Sequence, residues 1–123
     1  MSKTALELTR QEWKQYRPAR HQPQGWPPDM RERAWAQARQ AARILREQFG
    51  ATRVVVFGSL AHNLWYSERS DIDIAAWGIA PKDFFQAVAQ VNPVGVSFEI
   101  NLVDPANTRP PILSAIEREG VAV

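Results

Sequence analysis

The clearest pattern along the chain lies between residues 30 and 49, where apolar side chains recur every three or four positions. That spacing is typical of a helix with one apolar face, and the arginines of this stretch fall largely on the remaining surface. Asp29 is placed to cap the start of this helix, and Gly50 is placed to end it. We therefore predict a long amphipathic helix packed against the core. Its apolar positions are Ala34, Trp35, Ala38, Ala41, Ala42, Leu45 and Phe49.

Three shorter stretches have the composition or alternation of strands. Residues 53–57 form a β-branched run typical of a buried strand. Residues 71–77 and 96–103 alternate apolar and polar side chains along part of their length, as a strand with one buried face does. Residues 121–123 are a candidate for a terminal edge strand.

Helices are predicted between these strands. A short helix follows Ser59, and another begins at Pro81, because proline is favoured at the first helical position. A last helix begins at Pro110 or Pro111 and stops at Gly120. The side chains expected to face the core are Phe84, Phe85, Val88 and Val91 in the helix after Pro81, and Ile112, Leu113 and Ile116 in the last helix.

The first 28 residues have a different character. Residues 9–12 fit a capping box, which predicts a short helix, and four prolines follow between residues 17 and 28. We divide the chain into an N-terminal helix and proline-rich arm, residues 1–28, and a domain, residues 29–123. The large aromatic side chains of the arm either pack back onto the domain or meet a partner. They are Trp13, Tyr16 and Trp26.

Composition narrows the class of protein. The 123 residues are 45% hydrophobic and 23% charged, which suits one folded domain. The chain has no cysteine, so a disulfide framework, a thiolate zinc site and a catalytic cysteine are excluded. The sequence shows neither a signal-peptide pattern nor an apolar run of the roughly 18 residues that a membrane span needs. We expect a cytoplasmic protein without a membrane segment.

Charge is distributed unevenly. Residues 1–50 hold ten Lys/Arg and five Asp/Glu, a balance of +5, and residues 51–123 hold five and eight, a balance of −3. The basic part either attracts an acidic partner or a nucleic acid, or it is a solvated helix face. Direct nucleic-acid binding is not expected, because the bases are dispersed and no aromatic residues alternate with them.

Strand alternation brings four polar residues to one face of the predicted sheet, provided that the apolar sides of the second and third strands are buried. They are Asp71, Asp73, Glu99 and Asn101. The Cα atoms of Asp71 and Asp73 would be about 6.5–7 Å apart, which suits two carboxylates that bind one or two metal ions. Oxygen ligands favour Mg²⁺ or Mn²⁺. Alternatively, this Asp-x-Asp only caps a turn at a strand edge.

A Gly58-Ser59 pair follows the first predicted strand. Glycine allows close backbone approach and unusual dihedral angles, and a helix that starts at Ser59 can direct free N–H groups at a phosphate. An ordinary strand-to-helix turn would contain the same residues. The combination with Ser70-Asp71-Ile72-Asp73 is more specific, since only eleven residues separate Ser59 from Asp71.

Phe57-Gly58-Ser59-Leu60-Ala61 with Ser70-Asp71-Ile72-Asp73 resembles the signature of the DNA polymerase beta-like nucleotidyltransferases. More narrowly, it resembles the minimal nucleotidyltransferases (MNT), several of which are antitoxins of HEPN-domain toxins. The resemblance runs from about residue 30 to the end of the sequence. It implies an α/β (α+β) fold with a small mixed β-sheet flanked by helices.

The resemblance also implies a chemistry, which is Mg²⁺-dependent (or Mn²⁺-dependent) transfer of a nucleoside monophosphate, here AMP from ATP. By match of position, Gly58 and Ser59 would bind the triphosphate, and Asp71 and Asp73 would hold the metal and act in catalysis. A HEPN-type toxin would be both the partner and the acceptor, modified at a tyrosine.

The third acid departs from the family pattern. Family members usually carry an aspartate on the final strand, and alignment on Leu102-Val103-Asp104 places Asn101 there. Asparagine supplies neither a negative charge nor a general base. Glu99, on the same face, is therefore the third metal ligand and catalytic acid, or the site is weakened. Asp104 is expected to be a turn residue before Pro105.

Three other side chains near the site have alternative roles. His62 either contacts a phosphate or is a loop histidine that is solvated or bonds locally. Trp65 and Trp77 either pack or stack on a base. His21, in the proline-rich arm, is assigned no role.

The domain leaves no second domain for a template, so a template-directed polymerase is not expected. Three interpretations remain. The protein is an active nucleotidyltransferase that modifies a protein partner, an antitoxin with a weakened site that neutralises its partner by binding alone, or an enzyme that modifies a small molecule.

Overall fold

A computed structural model of the protein describes residues 25–64, 66–67, 70–93 and 97–123. The predicted short N-terminal helix lies outside the described residues, and so do Trp13, Tyr16, His21 and Trp65.

Helix α1, Pro28–Phe49, is the longest element, and its predicted apolar stripe is confirmed. The four alanines and Leu45 are buried, and Trp35 and Phe49 pack half-buried beside them. Gly50 ends the helix in the left-handed region, at φ 74°. The prediction that Asp29 caps the helix is wrong. The helix starts at Pro28, one residue before Asp29, because the fixed φ of proline suits the first helical position. Pro27 occupies the cap position and makes no side-chain hydrogen bond.

One mixed sheet spans the described part of the chain. Its strands are β1, Arg53–Phe57; β2, Ile72–Trp77; β3, Ile100–Val103; and β4, Val121–Ala122. The order is β3-β2-β1-β4, with β1 antiparallel to both β2 and β4, and β2 parallel to β3. The predicted mixed sheet flanked by helices is confirmed, as is the terminal edge strand.

Strand β3 is shorter than predicted, because it begins at Ile100 and not at residue 96. Phe98 exchanges its backbone hydrogen bonds with a side chain instead of a strand. Gln37 of α1 donates from Nε2 to the carbonyl of Phe98 (2.5 Å) and accepts from the N–H of Phe98 at Oε1 (3.2 Å). An amide side chain thus replaces the ladder at this position.

The remaining helices are α2, Ser59–His62; α3, Phe84–Val91; and α4, Pro110–Glu119. A single 3₁₀ turn, Pro81–Asp83, precedes α3, so the helix after Pro81 starts later than predicted. The inward position of Phe85 is a wrong prediction, since it is 89% exposed. Ala87 and Val91 point at the sheet, with Phe84 and Val88 beside them, and this face leaves Phe85 on the solvent side.

The two faces of the sheet are covered by different helices. The face that carries Val54, Val56, Ile72 and Ile74 packs on α1 and α3 in the main core. On the opposite face, Val55, Phe57 and Ala75 pack on Ile116 of α4. Strand β1 is therefore buried on both faces, which explains its unbroken apolar run.

Helix α4 buries less of its apolar side than predicted. Ile116 is buried and Leu113 is half-buried, but Ile112 is 44% exposed. The cluster on this face of the sheet contacts the helix at Ile116, and Ile112 lies one turn farther out. The sheet face of Asp73 is thus partly covered, and not open along its whole length as predicted.

Trp26 packs into the main core and is 4% exposed. Its ring lies edge-on to Tyr66, with 5.1 Å between ring centroids, and tilted against Phe98 at 5.5 Å. For this tryptophan, packing onto the domain is the alternative that the structure supports. No helix within the described ranges is long and apolar enough to cross a bilayer.

Candidate active site

The Gly58-Ser59 turn joins β1 to helix α2, and it lies directly against Asp73. Antiparallel pairing sets Phe57 opposite Asp73. Gly58 then turns the chain at φ 76° and ψ −151°, a conformation that side chains with a Cβ rarely adopt. A Cβ added to Gly58 would overlap the Oδ2 atom of Asp73. The structure therefore brings together two of the predicted site elements through a position that only glycine fits.

Asp73 and Asn101 are neighbours in the parallel pairing of β2 and β3. The Nδ2 atom of Asn101 donates a hydrogen bond of 3.2 Å to Oδ1 of Asp73. Burial raises the pKa of the Asp73 carboxyl above its usual range, the Asn101 hydrogen bond opposes this rise, and the charge of Asp71 adds to it. A carboxylate that the fold keeps in surroundings that disfavour its charged form is typical of a functional site.

Asp71 and Glu99 lie at the N-terminal ends of β2 and β3, where both side chains line a cleft of about 590 Å³. The Ile72 N–H donates to the carbonyl of Glu99 (2.9 Å), which fixes the backbone of the two strand ends together. Both side chains are exposed, in contrast to half-buried Asp73. We call this space the site cleft; the rest of its described lining is Met30, Arg33, Tyr66, Ser70, Ser97 and Phe98.

The predicted residues form two groups. Asp73 adjoins Gly58 and Asn101, and Asp71 shares the site cleft with Glu99. Among the described residues, no three His, Cys, Asp or Glu side chains are grouped closely enough to hold a metal ion. The donor set near Asp73 is thus two carboxylates, Asp71 and Asp73, with the amide of Asn101. Because Asn101 uses its Nδ2 on Asp73, its oxygen is available as a ligand.

Arg33 is a cleft residue that the sequence did not single out. It lies in the second turn of α1, more than thirty positions before Ser70, so no local motif connects the two. The long, exposed guanidinium lines the same cleft as Ser70 and Asp71. In the sequence, the available signal for this residue was a basic side chain near the start of the predicted helix.

Three neighbouring side chains have structural roles. His62 of α2 pairs with Glu119 of α4, with 2.8 Å between Nε2 and Oε2, so its observed partner lies on a distant helix and not within its own loop. The carboxylate of Asp104 accepts bonds from the Ala106 N–H (3.0 Å) and the Asn107 side chain (2.8 Å), which confirms the predicted turn. Trp77 packs beside the α4 cluster, with the Arg53 guanidinium 4.4 Å from its ring centre.

Comparison with known proteins supplies the class of the fold. Residues 38–104, just over half of the chain, match the model of the nucleotidyltransferase domain. No curated protein matches the chain.

Several solved structures resemble this one. A toxin–antitoxin with AMP-PNP has a TM-score of 0.58 at 17% identity, over 69% of this chain and 70% of that one. A tri-AMPylated Shewanella oneidensis HEPN toxin in complex with its MNT antitoxin gives 0.54 at 15%, over 72% and 70%. A minimal nucleotidyltransferase gives 0.53 at 25%, over 78% and 94%. The mixed sheet flanked by helices agrees with these matches, and the chain belongs to the nucleotidyltransferase domain family.

Proposed function

We propose that this protein transfers AMP from ATP to a hydroxyl group of a partner protein in the cytoplasm, and that the partner is a HEPN-type toxin. Two of the similar structures are toxin–antitoxin assemblies, one with AMP-PNP and one with an AMPylated HEPN toxin in complex with an MNT antitoxin. Both lie below 25% identity, so they support the proposal through the fold alone.

The observation that carries the proposal is the contact between Gly58 and Asp73. A nucleotide site needs backbone donors for the phosphates and a carboxylate for the cation within a few ångströms of each other. The backbone of Gly58 lies so close to the Asp73 carboxylate that no side chain fits between them. Ser59, the first residue of α2, then adds its hydroxyl and N–H at the same place.

The residues present suit a hard divalent cation. Two carboxylates and an amide oxygen are the ligands that Mg²⁺ or Mn²⁺ prefers, and a cation would relieve the repulsion between Asp71 and Asp73. Asp71 and Asp73 would hold it, with the amide oxygen of Asn101 as the third ligand. When bound, the ion would neutralise phosphate charge and orient the triphosphate.

The reaction itself is an in-line displacement at the α-phosphorus. The acceptor oxygen forms a bond to that phosphorus, the bond to the bridging oxygen breaks, and pyrophosphate leaves. The proton of the acceptor hydroxyl goes to a carboxylate, for which Glu99 is the exposed candidate in the site cleft. Gly58 and Ser59 would bind the phosphates that leave.

A second candidate function is neutralisation of the toxin by binding alone. Asn101 favours it, because it occupies the position beside Asp73 where a third carboxylate is expected, and it holds that carboxylate by a hydrogen bond. Such a protein would keep the fold and its partner but transfer nucleotide slowly or not at all. No observation of the structure favours the small-molecule acceptor.

ATP binding, measured by calorimetry with and without Mg²⁺, tests the nucleotide site. We expect Mg²⁺-dependent binding by the native protein and a loss of at least tenfold in affinity when Asp71→Ala and Asp73→Ala are combined. The matched control combines Glu47→Ala with Glu117→Ala, which removes two exposed carboxylates elsewhere and should bind as the native protein does. Equal affinity in the two double variants would sink the assignment of the metal site.

A further inference from the structure

A second cleft, of about 800 Å³, lies between helix α1 and the edge of the sheet. One wall consists of Trp26 and the side chains of Arg31, Trp35 and Arg39, and residues 121–123 form the other. We call it the arginine–tryptophan cleft. None of the predicted catalytic residues lines it, so it is separate from the site cleft.

Three N–H donors of this lining are buried and have no hydrogen-bond partner in the described part of the chain. They are Trp26 Nε1, Arg31 Nε and Trp35 Nε1. Buried donors in native proteins are almost always paired, because an unpaired one loses its hydration without compensation. Three such donors around one cleft indicate a ligand that is rich in acceptor oxygens.

The charge of the cleft points to an anionic ligand. Arg31 and Arg39 line it together with one acid, Glu32. The Arg31 guanidinium lies over the face of the Trp35 ring, 6.0 Å from its centre, so the two side chains occupy the same part of the cleft. Arginine binds carboxylates through two parallel hydrogen bonds, which makes carboxylate side chains a fitting complement.

Strand β4 adds a backbone edge to the cleft. It is the last strand on its side of the described sheet. The Val123 N–H donates to the carbonyl of Val54 (3.0 Å), and bonding directions alternate along an antiparallel pair. The N–H and C=O of Ala122 therefore point away from β1, where an added extended strand can pair with them.

The chain's own first residues are a poor complement by charge. Residues 1–24 contain five Lys/Arg and two Asp/Glu, so they carry the same sign as the cleft. An acidic segment of another protein has the opposite sign.

We propose that the arginine–tryptophan cleft binds an extended acidic segment of a partner protein. The segment adds to the edge of β4 through Ala122, and its carboxylates pair with Arg31, Arg39 and the indole N–H groups. This interaction surface is measured without nucleotide, so it stands or falls independently of AMP transfer.

The test uses the full chain and a labelled octapeptide of alternating Glu and Val, with a Lys–Val octapeptide of the same pattern as the control probe. Peptide anisotropy gives the affinity, and tryptophan fluorescence reports binding near Trp26 and Trp35. We expect saturable binding of the acidic peptide only, with an affinity that falls as salt is added.

Two pairs of variants locate the interaction. Combining Arg31→Ala with Arg39→Ala should weaken binding at least tenfold, whereas Arg43→Ala with Arg46→Ala, on the exposed side of the same helix, should leave it unchanged. Ala122→Pro removes the outward N–H and should weaken binding several-fold, and Ala122→Val retains that N–H and should not. Circular dichroism verifies that each variant is folded.

Several results would overturn the proposal. They are no binding of the acidic peptide by the native chain, equal binding of the two peptides, or native-like affinity in the Arg31→Ala, Arg39→Ala protein. If that protein does not fold, salt-independent binding by the native chain would contradict the proposal instead. Native-like affinity of Ala122→Pro would overturn the backbone pairing with β4.

Discussion

At the scale of single residues, Gly58 is the position with the least freedom. Its left-handed backbone and its contact with Asp73 each exclude a side chain. Gly58→Ala should lower the free energy of unfolding by about 2 kcal/mol or more and abolish measurable ATP binding, because the added Cβ displaces the carboxylate.

Gly50→Ala is the matched control for this substitution. Gly50 has nearly the same φ of 74°, but a Cβ there meets nothing within 4 Å. It should cost about 1 kcal/mol of stability and leave ATP binding intact. Chemical denaturation and calorimetry measure both quantities, and equal effects of the two substitutions would show that the contact with Asp73 is unimportant.

Asp73 is destabilising in the absence of a cation. Its pKa is raised in the folded protein, so its contribution to stability is full below the pKa of the unfolded chain and is lost as pH rises through the folded pKa. With a chelator present, Asp73→Asn should therefore raise the melting temperature at pH 7 and flatten the fall in stability above the ordinary carboxyl pKa. A lower melting temperature at pH 7 would contradict the burial of a charged Asp73.

Asn101 is the residue on which the two candidate functions differ, since a weakened metal site would result from its missing charge. Asn101→Asp places a third carboxylate beside Asp73, and it should tighten Mg²⁺ binding about tenfold while lowering the melting temperature of the metal-free protein. Gln90→Glu, which adds a charge on the exposed side of α3, is the control. Unchanged Mg²⁺ affinity in Asn101→Asp would contradict the placement of Asn101 beside the cation.

At the scale of elements, the Gln37 side chain replaces a neighbouring strand as a hydrogen-bond partner. It forms both backbone hydrogen bonds of Phe98 and so positions the segment that carries Glu99. Gln37→Ala should cost about 2 kcal/mol of unfolding free energy, since two part-buried bonds are lost. Gln40→Ala, exposed on the same helix, should cost little, and similar denaturation midpoints for both variants would contradict this role.

Most elements were predictable from the sequence because their signals are local. The alanine stripe determined the buried face of α1, and the alternation around Ile72 and Ile74 determined the face of β2 that carries Asp73. The register that pairs Asp73 with Asn101 is a finding of the structure. The late start of β3 was not predictable, since it depends on Gln37, sixty-one positions away in sequence. The prediction that Phe85 faces the core was wrong because a 3₁₀ turn precedes α3 and changes which side chains of the helix face the core.

The parts of the candidate site differ in the same way. Gly58, Ser59 and the two aspartates form a motif that can be recognised in sequence, but their contact depends on the antiparallel pairing of β1 with β2. Arg33 enters the site cleft through tertiary packing alone, and no spacing in the sequence connects it to Asp71.

At the scale of the whole molecule, Trp26 lies between the two clefts. It lines the arginine–tryptophan cleft, and its ring contacts Tyr66 and Phe98, which line the site cleft. The backbone N–H of Trp26 also donates to Oδ1 of Asn63 (3.0 Å), the residue that ends the helix that begins at Ser59. A partner segment held in the arginine–tryptophan cleft would therefore contact the tryptophan that packs on two residues of the site cleft.

Transfer of AMP to the partner tests the proposed function most directly. The full chain is incubated with a HEPN-type partner, ATP and Mg²⁺, and the partner is analysed by intact mass spectrometry. We predict an AMP adduct that requires Mg²⁺ and is absent when Asp71→Ala and Asp73→Ala are combined, although the double variant still binds the partner. An adduct formed by the double variant, or none formed by a native protein that binds its partner tightly, would contradict nucleotide transfer at this site.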